Sequence, residues 1–296
     1  MADHLGRGLS ADGTVRGLAA VTTDLVEEAR RRHGTLPTAT AALGRGLTAA
    51  LLLGGLLKTG ERLSLEVSGD GPLGCLLADA SPDGGVRGFV SRPRTDLPPR
   101  RGKLDVGGAV GRGILCVMRV PAAPGPPYRS IVPLVSGEIG ADVARYLVDS
   151  EQTPSVVGVG VWVEPDGRVG AAGGYLVQAM PGASDGAIDR LEANIAAAPT
   201  PSELVREGLD ASAMLGRLMQ GLAPRDLERR PVAYRCRCSR ERALGACIAM
   251  GRDELERVLT SDRRAEVVCE FCGSRYEFLE DELRAILDGR SPGSGA

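Results

Sequence analysis

Cys236 and Cys238 form a CxC pair, and after 30 intervening residues Cys269 and Cys272 form a CxxC pair. Two close pairs joined by a longer loop let a short chain set four thiolates on the corners of a tetrahedron, the arrangement zinc takes in a structural site. Four sulfurs fill the coordination sphere and leave no position for a catalytic water. The chemistry to expect is therefore cross-linking of the chain, redox chemistry of the sulfurs, or both. Gly273, directly after the second pair, is free to take the backbone conformation that a metal knuckle needs. Arg235, Arg237 and Arg240 flank the first pair. They either hold the thiolates in a positive field, which favours the anionic sulfur that oxidants attack, or form a solvated face.

The same four sulfurs can hold one metal ion or become two disulfides, and a disulfide sulfur is a poor metal ligand. Structural zinc contributes on the order of 10–16 kcal/mol to the folding of a small module. A whole domain is stable by only about 5–15 kcal/mol, so oxidation that removed the ligands would unfold the module. Ligand spacing alone leaves a static structural site and a switch both open. Cys247, between the pairs in a helical pattern, reads as a small buried apolar residue rather than a fifth ligand, and Cys75 and Cys116, in predicted strands, read the same way.

The elements that must position these residues divide the chain. Its 296 residues leave room for more than one domain, at a soft prior of about one per 150 residues. Up to about residue 180, β-type runs (Arg62 to Ser68, Cys75 to Ala80, Gly85 to Val90, Ile114 to Val120, Val156 to Val163, Val169 to Val177) alternate with helical patterns (Thr23 to Arg32, Ala39 to Leu57, Ala141 to Ser150). Asp70-Gly71, Asp83-Gly84-Gly85 and Asp166-Gly167 supply hairpin turns. The fold class predicted is α+β, with a mixed, largely antiparallel sheet. Past Met180 strand signals stop: Ile188, Leu191 and Ile195, then Leu204 to Leu222, follow helical spacing, and Pro224 and Pro231 bracket a charged stretch. Division into an α+β domain at 1–180, a helical, metastable linker at 181–230, a zinc module at 231–290 and a disordered tail at 291–296 follows.

Composition excludes several classes. Net charge is −2 with 25% charged residues and 3% aromatics, which gives neither a basic field nor stacking platforms for nucleic acid. The polar start, Met1 to Gly13, carries no secretory signal, and a cytoplasmic location is expected. Arg45 lies inside the one long apolar stretch, which therefore reads as a buried helix rather than a membrane span. Gly69-Asp70-Gly71-Pro72-Leu73-Gly74 matches GxGxxG but no helix follows, so it reads as a hairpin turn. Gly182-Ala183-Ser184-Asp185-Gly186 matches a nucleophile elbow, yet the histidines, His4 and His33, both precede it, and Ser184 reads as a helix N-cap. Glu280, Asp281 and Glu282 read as the start of a short helix. No GxxxxGK[ST] occurs, so an ATP-driven cycle is not expected, nor is an enzyme.

Read with their neighbours, Tyr234-Arg235-Cys236-Arg237-Cys238-Ser239-Arg240-Glu241-Arg242 and Cys269-Glu270-Phe271-Cys272-Gly273 resemble the redox-regulated heat-shock holdases, the 33 kDa chaperonin family. Ser68-Gly69-Asp70-Gly71-Pro72, Ser150 to Ser155 and Gly173 to Gly182 resemble that family's N-terminal domain, so the likeness spans most of the chain. It implies an ATP-independent stress chaperone that binds unfolding proteins. In the reduced state one zinc ion on Cys236, Cys238, Cys269 and Cys272 keeps it inactive. Oxidation to Cys236–Cys238 and Cys269–Cys272 disulfides releases zinc, unfolds the linker and favours a homodimer. The family also suggests that Cys269–Cys272 oxidises first. It assigns no client-binding residues by motif.

Two rivals remain on the residues alone. One is a constitutive zinc-ribbon module for RNA or a protein partner, with no switch. The other is a thiol oxidoreductase using Cys269 and Cys272, against which the lack of a βαβ context counts.

Overall fold

The computed structural model describes residues 1–288, with the backbone alone at 226 and 227; the tail at 291–296 lies outside the described residues. Strands β1 (His4–Leu9) and β2 (Val15–Val21) precede helices α1 (Thr23–His33) and α2 (Pro37–Gly54). A meander of β3 (Arg62–Gly69), β4 (Cys75–Ala80) and β5 (Gly85–Val90) follows. Next come α3 (Val106–Val110), β6 (Gly113–Val120), β7 (Tyr128–Pro133), α4 (Gly140–Asp149), β8 (Ser155–Val163) and β9 (Val169–Ala179). Helices α5 (Asp185–Ala197), α6 (Pro201–Arg206) and α7 (Ala211–Leu218) lead to β10 (Arg225–Pro231) and β11 (Ala233–Tyr234). The chain ends in α8 (Arg240–Ala249), α9 (Arg252–Ser261), β12 (Arg264–Val268), β13 (Arg275–Leu279) and α10 (Glu280–Leu287).

The fold is α+β as the sequence predicts, and it falls into two compact units, residues 1–235 and a second beginning at Cys236. In the first unit one sheet runs β10-β1-β2-β9-β8 and the other β11-β5-β4-β3-β6-β7. Every strand pair is antiparallel except β11 on β5. Helix α2 packs on strands of both sheets and is buried along almost its whole length. Gly44 and Gly46 make that possible: a Cβ at Gly44 would meet Val26 at 2.5 Å and Val161 at 2.7 Å, and one at Gly46 would meet Leu76 at 2.5 Å. Glycine inside a helix costs about 1 kcal/mol relative to alanine, and here it sets the distance between helix and sheets. Among the described residues no helix is long and apolar enough to cross a membrane.

The first sheet is buried on both faces. Leu18, Ala20 and Leu176 point into the core around α2. The alternate residues Val15, Ala19, Val21, Tyr175 and Val177 form a second core with Leu191, Leu204, Met214, Leu215, Leu218 and Met219 of α5 to α7. The helical segment after Met180 thus lies on the sheet within the first unit. Its last part is not helical. The charged stretch bracketed by Pro224 and Pro231 is β10, an edge strand paired with β1; charged side chains suit a strand with one free edge. β11 then joins β5, where the Tyr234 hydroxyl donates to Gly88 O at 2.9 Å and lies 3.2 Å from His33 Nε2.

Three further readings hold. The GxGxxG segment is the turn between antiparallel β3 and β4. Ser184 caps α5, accepting from the Ala187 amide. Glu280 opens α10.

Candidate metal centre

In the second unit two helices, a hairpin and a closing helix surround a core that, among the described residues, has six buried members, Ala243, Cys247, Leu255, Ala265, Phe278 and Leu283. A core that small rarely holds a fold by apolar burial alone, and such modules rely on a metal or a covalent cross-link. The first cysteine pair precedes α8, whose N-cap Ser239 accepts from the Arg242 amide at 3.3 Å. The second pair sits in the turn of the β12–β13 hairpin. There the Gly273 amide donates to Cys269 O at 2.8 Å and the Cys269 amide to Ser274 O at 2.9 Å. Gly273 has φ +71°, the left-handed conformation the turn requires.

These turns bring all four predicted sulfurs together. The Sγ atoms of Cys236, Cys238, Cys269 and Cys272 lie within 4.8 Å of one another. Two contacts cross between the pairs, Cys236 to Cys269 at 3.7 Å and Cys238 to Cys272 at 3.3 Å. A tetrahedron with metal–sulfur bonds of about 2.3 Å separates its sulfurs by about 3.8 Å, so the cluster can close on one such ion with small adjustments. The chemistry of the set, four soft thiolates and no carboxylate or histidine, suits zinc and other thiophilic ions and excludes the oxygen-seeking ones.

Two hydroxyls complete the centre, and the sequence reading missed both. Tyr276 Oη donates to Cys238 Sγ at 3.1 Å, and Cys272 Sγ lies 3.2 Å from Ser274 Oγ. Their signal is positional: Ser274 and Tyr276 follow the CxxC at alternate positions on the outgoing limb of its hairpin, where side chains share a face. The sulfurs are not equivalent as metal-free thiols. Burial pushes Cys269 up to about 12, helped by its contacts with Cys236 and Cys272. Burial also acts on Cys272, but hydrogen bonds from Ser274 and the neighbouring sulfurs bring it down to about 6.

Two of the three flanking arginines are paired with carboxylates. Arg240 binds both carboxylate oxygens of Glu282 and stacks 4.5 Å from the Phe278 ring centre, while Arg235 pairs with Asp83 at 3.0 Å. Cys247 is buried, as expected for a core residue; Cys116 is buried and Cys75 half-buried.

The Hsp33 protein family model matches residues 3–279, from the first strand through both cysteine pairs. The chain belongs to the Hsp33 family. Among curated Hsp33 relatives, the 33 kDa chaperonin of Symbiobacterium thermophilum is 50% identical over 98% of each chain. That of Geobacter sulfurreducens is 46% identical over 97% of this chain and 95% of its own. The crystal structure of the 33 kDa chaperonin from Thermotoga maritima superimposes with a TM-score of 0.91 at 36% identity, covering 98% of this chain and 99% of that one.

Proposed function

We propose that this Hsp33-family protein is a redox-regulated, ATP-independent holdase of the cytoplasm that binds unfolding proteins under oxidative stress. In the reduced state Cys236, Cys238, Cys269 and Cys272 hold one zinc ion. When bound, zinc supplies the cross-link that the six-residue core of the second unit lacks. Oxidation to Cys236–Cys238 and Cys269–Cys272 disulfides passes two electrons per bond to the oxidant, a peroxide being reduced to water. It removes all four ligands, and the second unit loses its cross-link.

The observation that carries this reading is the four-sulfur cluster in a unit with so small an apolar core. The first unit supplies what such a switch needs to release. Helices α5 to α7 cover an apolar sheet face, and their separation would uncover Val15, Ala19, Val21, Tyr175 and Val177 on one side and Met214, Leu215, Leu218 and Met219 on the other. Methionine and leucine on a mobile helix are contact residues that accept many partners. Residues 181–230 are accordingly the segment proposed to unfold, with dimerisation in the oxidised state.

The deciding experiment compares reduced, zinc-loaded protein with peroxide-treated protein in suppressing aggregation of a thermally unfolding client, while zinc release is followed with a chromogenic chelator. The oxidised form alone should suppress aggregation. Equal activity in both states would instead make the protein a constitutive zinc-ribbon binding module.

A further inference from the structure

A cavity of about 1100 Å³ opens on the first unit between the turn at residues 100–103, α3 and the loop leading to α4. Nothing in the proposed switch uses it. Arg100, Arg101, Lys103 and Arg112 line it, and the Arg100, Arg101 and Arg112 side chains pair with no carboxylate among the described residues. The three acids in the lining are already engaged. Asp70 accepts from the Arg112 amide at 2.7 Å, Asp105 from the Gly108 amide at 2.9 Å, and Glu138 pairs with Arg45 and accepts from the Gly107 amide at 3.2 Å. Amide donors leave a carboxylate charged, so the lining sets four cations, Arg100, Arg101, Lys103 and Arg112, against three acids, of which Glu138 is balanced by Arg45, and its charge is net positive.

Two walls of the cavity are built at a conformational cost. Arg100 and Lys103 exchange backbone hydrogen bonds of 2.8 and 3.1 Å across a two-residue turn in which Arg101 has φ +52° and Gly102 φ +76°. Such a turn favours Asn-Gly, and an arginine at its first position is strained. The facing wall of Val135, Ser136 and Glu138 leads into Ile139, a buried β-branched residue with φ +72°, an outlier for its type. Buried Asp142 holds it there, accepting from the amides of Val135, Ser136, Gly137 and Ile139 at 2.7 to 3.3 Å. Backbone strain held in place by surrounding hydrogen bonds gathers at binding sites. The fold here spends it on presenting a guanidinium at the tip of a turn.

We propose that this cavity binds an inorganic oligophosphate. Several guanidiniums that no carboxylate occupies recognise phosphate oxygens through paired hydrogen bonds and match a ligand of several charges. The volume exceeds what a single phosphate fills and lies just above the usual range of small-molecule sites, about 300–1,000 Å³. Among the described residues no aromatic side chain lines it, so a nucleobase would find no stacking surface there.

The test titrates tripolyphosphate into the full-length reduced protein by calorimetry at constant ionic strength, alongside sodium chloride and ADP, with the variants Arg101→Asn and Arg112→Gln. Asparagine suits the left-handed turn position, so Arg101→Asn should keep or raise the melting temperature. Saturable binding of tripolyphosphate to one site, weakened about tenfold by either variant, is the expected result. No saturable heat, equal effects of chloride at matched ionic strength, or affinity unchanged in both variants would overturn the proposal. ADP binding more tightly than tripolyphosphate would overturn the inorganic assignment.

Discussion

The His4 imidazole accepts a hydrogen bond from the Ala211 amide at 3.2 Å through Nε2, while its Nδ1 meets Ala2 O at 2.8 Å. The pairing fixes the tautomer with the proton on Nδ1. It also satisfies a free amide in the first turn of α7 with a ring from β1, both groups being buried. The helix that covers the outer sheet face is thus fastened at its start by the first strand of the chain. His4→Ala leaves that amide without a partner, at a cost of about 1–3 kcal/mol. Amides of α7 should exchange with deuterium faster in this variant while those of α2 do not change; equal exchange in both helices would refute the fastening.

A second variant separates α7 from the sheet sterically. A Cβ on Gly6 would lie 2.8 Å from Ala211 Cβ, which has no rotamer to escape into. Gly6→Ala should therefore push α7 outward. If the covered face is the client surface, the reduced, zinc-loaded variant should suppress client aggregation without any oxidant. A variant that loosens α7 by exchange yet stays inactive would place the client surface elsewhere.

Tyr276 offers a test at the metal centre itself. Its hydroxyl donates to Cys238 Sγ, and groups that support a metal ligand typically alter affinity about 10- to 100-fold. Tyr276→Phe keeps the ring and removes the donor. Competition with a chelator should show zinc held roughly tenfold more weakly, with peroxide-driven release correspondingly faster. Unchanged zinc affinity would reduce the hydroxyl to a bystander.

The elements with a clear period were legible in the sequence, and the structure shows why the others were not. β4 and β5 alternate buried and half-buried residues along the sheet, and their bounds matched. β2 reads Val-Arg-Gly-Leu-Ala-Ala-Val because α2 lies on one side and α7 on the other, so small residues replace alternation. β1 is broken by Gly6 and Gly8, which admit α7, and β10 is charged because it is an edge. The cysteine ligands were visible as spacing. Tyr276 and Ser274 were not, because hydroxyls on a hairpin carry no motif until its turn and the register of β13 place them beside sulfur.

Asp3 predicts a pH dependence in the first unit. Its Oδ2 accepts from the Leu25 amide at 2.7 Å and so stands in for the N-cap that Thr22 does not supply to α1, while Oδ1 is buried with no partner. Burial pushes the carboxyl up to about 6, against the lowering by the helix amides of Leu25 and Asp24. A folded pKa above the unfolded one means that the native state keeps a proton which the unfolded chain has lost. The stabilisation is complete below about pH 4 and is lost as pH rises through about 6, a difference of up to about 3 kcal/mol. Asp3→Asn, always neutral, should melt higher than the parent at pH 7.5, and the gap should close toward pH 4. A gap that stays constant over that range would show that ionisation of Asp3 is not its cause.

The pattern of disulfides reports whether the second unit opens as it oxidises. In the folded cluster, contacts of 3.7 and 3.3 Å run across the pairs, so a module that kept its shape could join Cys236 to Cys269 and Cys238 to Cys272. Those bonds close loops spanning 33 and 34 residues. In an open chain each doubling of loop length costs about 0.6 kcal/mol, so these bonds are disfavoured by about 2 kcal/mol relative to Cys236–Cys238 and Cys269–Cys272. Opening during oxidation therefore selects the pairing within each motif. Peptide mapping by mass spectrometry after peroxide treatment should find the two short-range disulfides, with Cys247 still a free thiol once the unfolded module is alkylated. Recovery of the cross-pair bonds would mean that the module oxidises without unfolding, and the proposed release of α5 to α7 would lose its trigger.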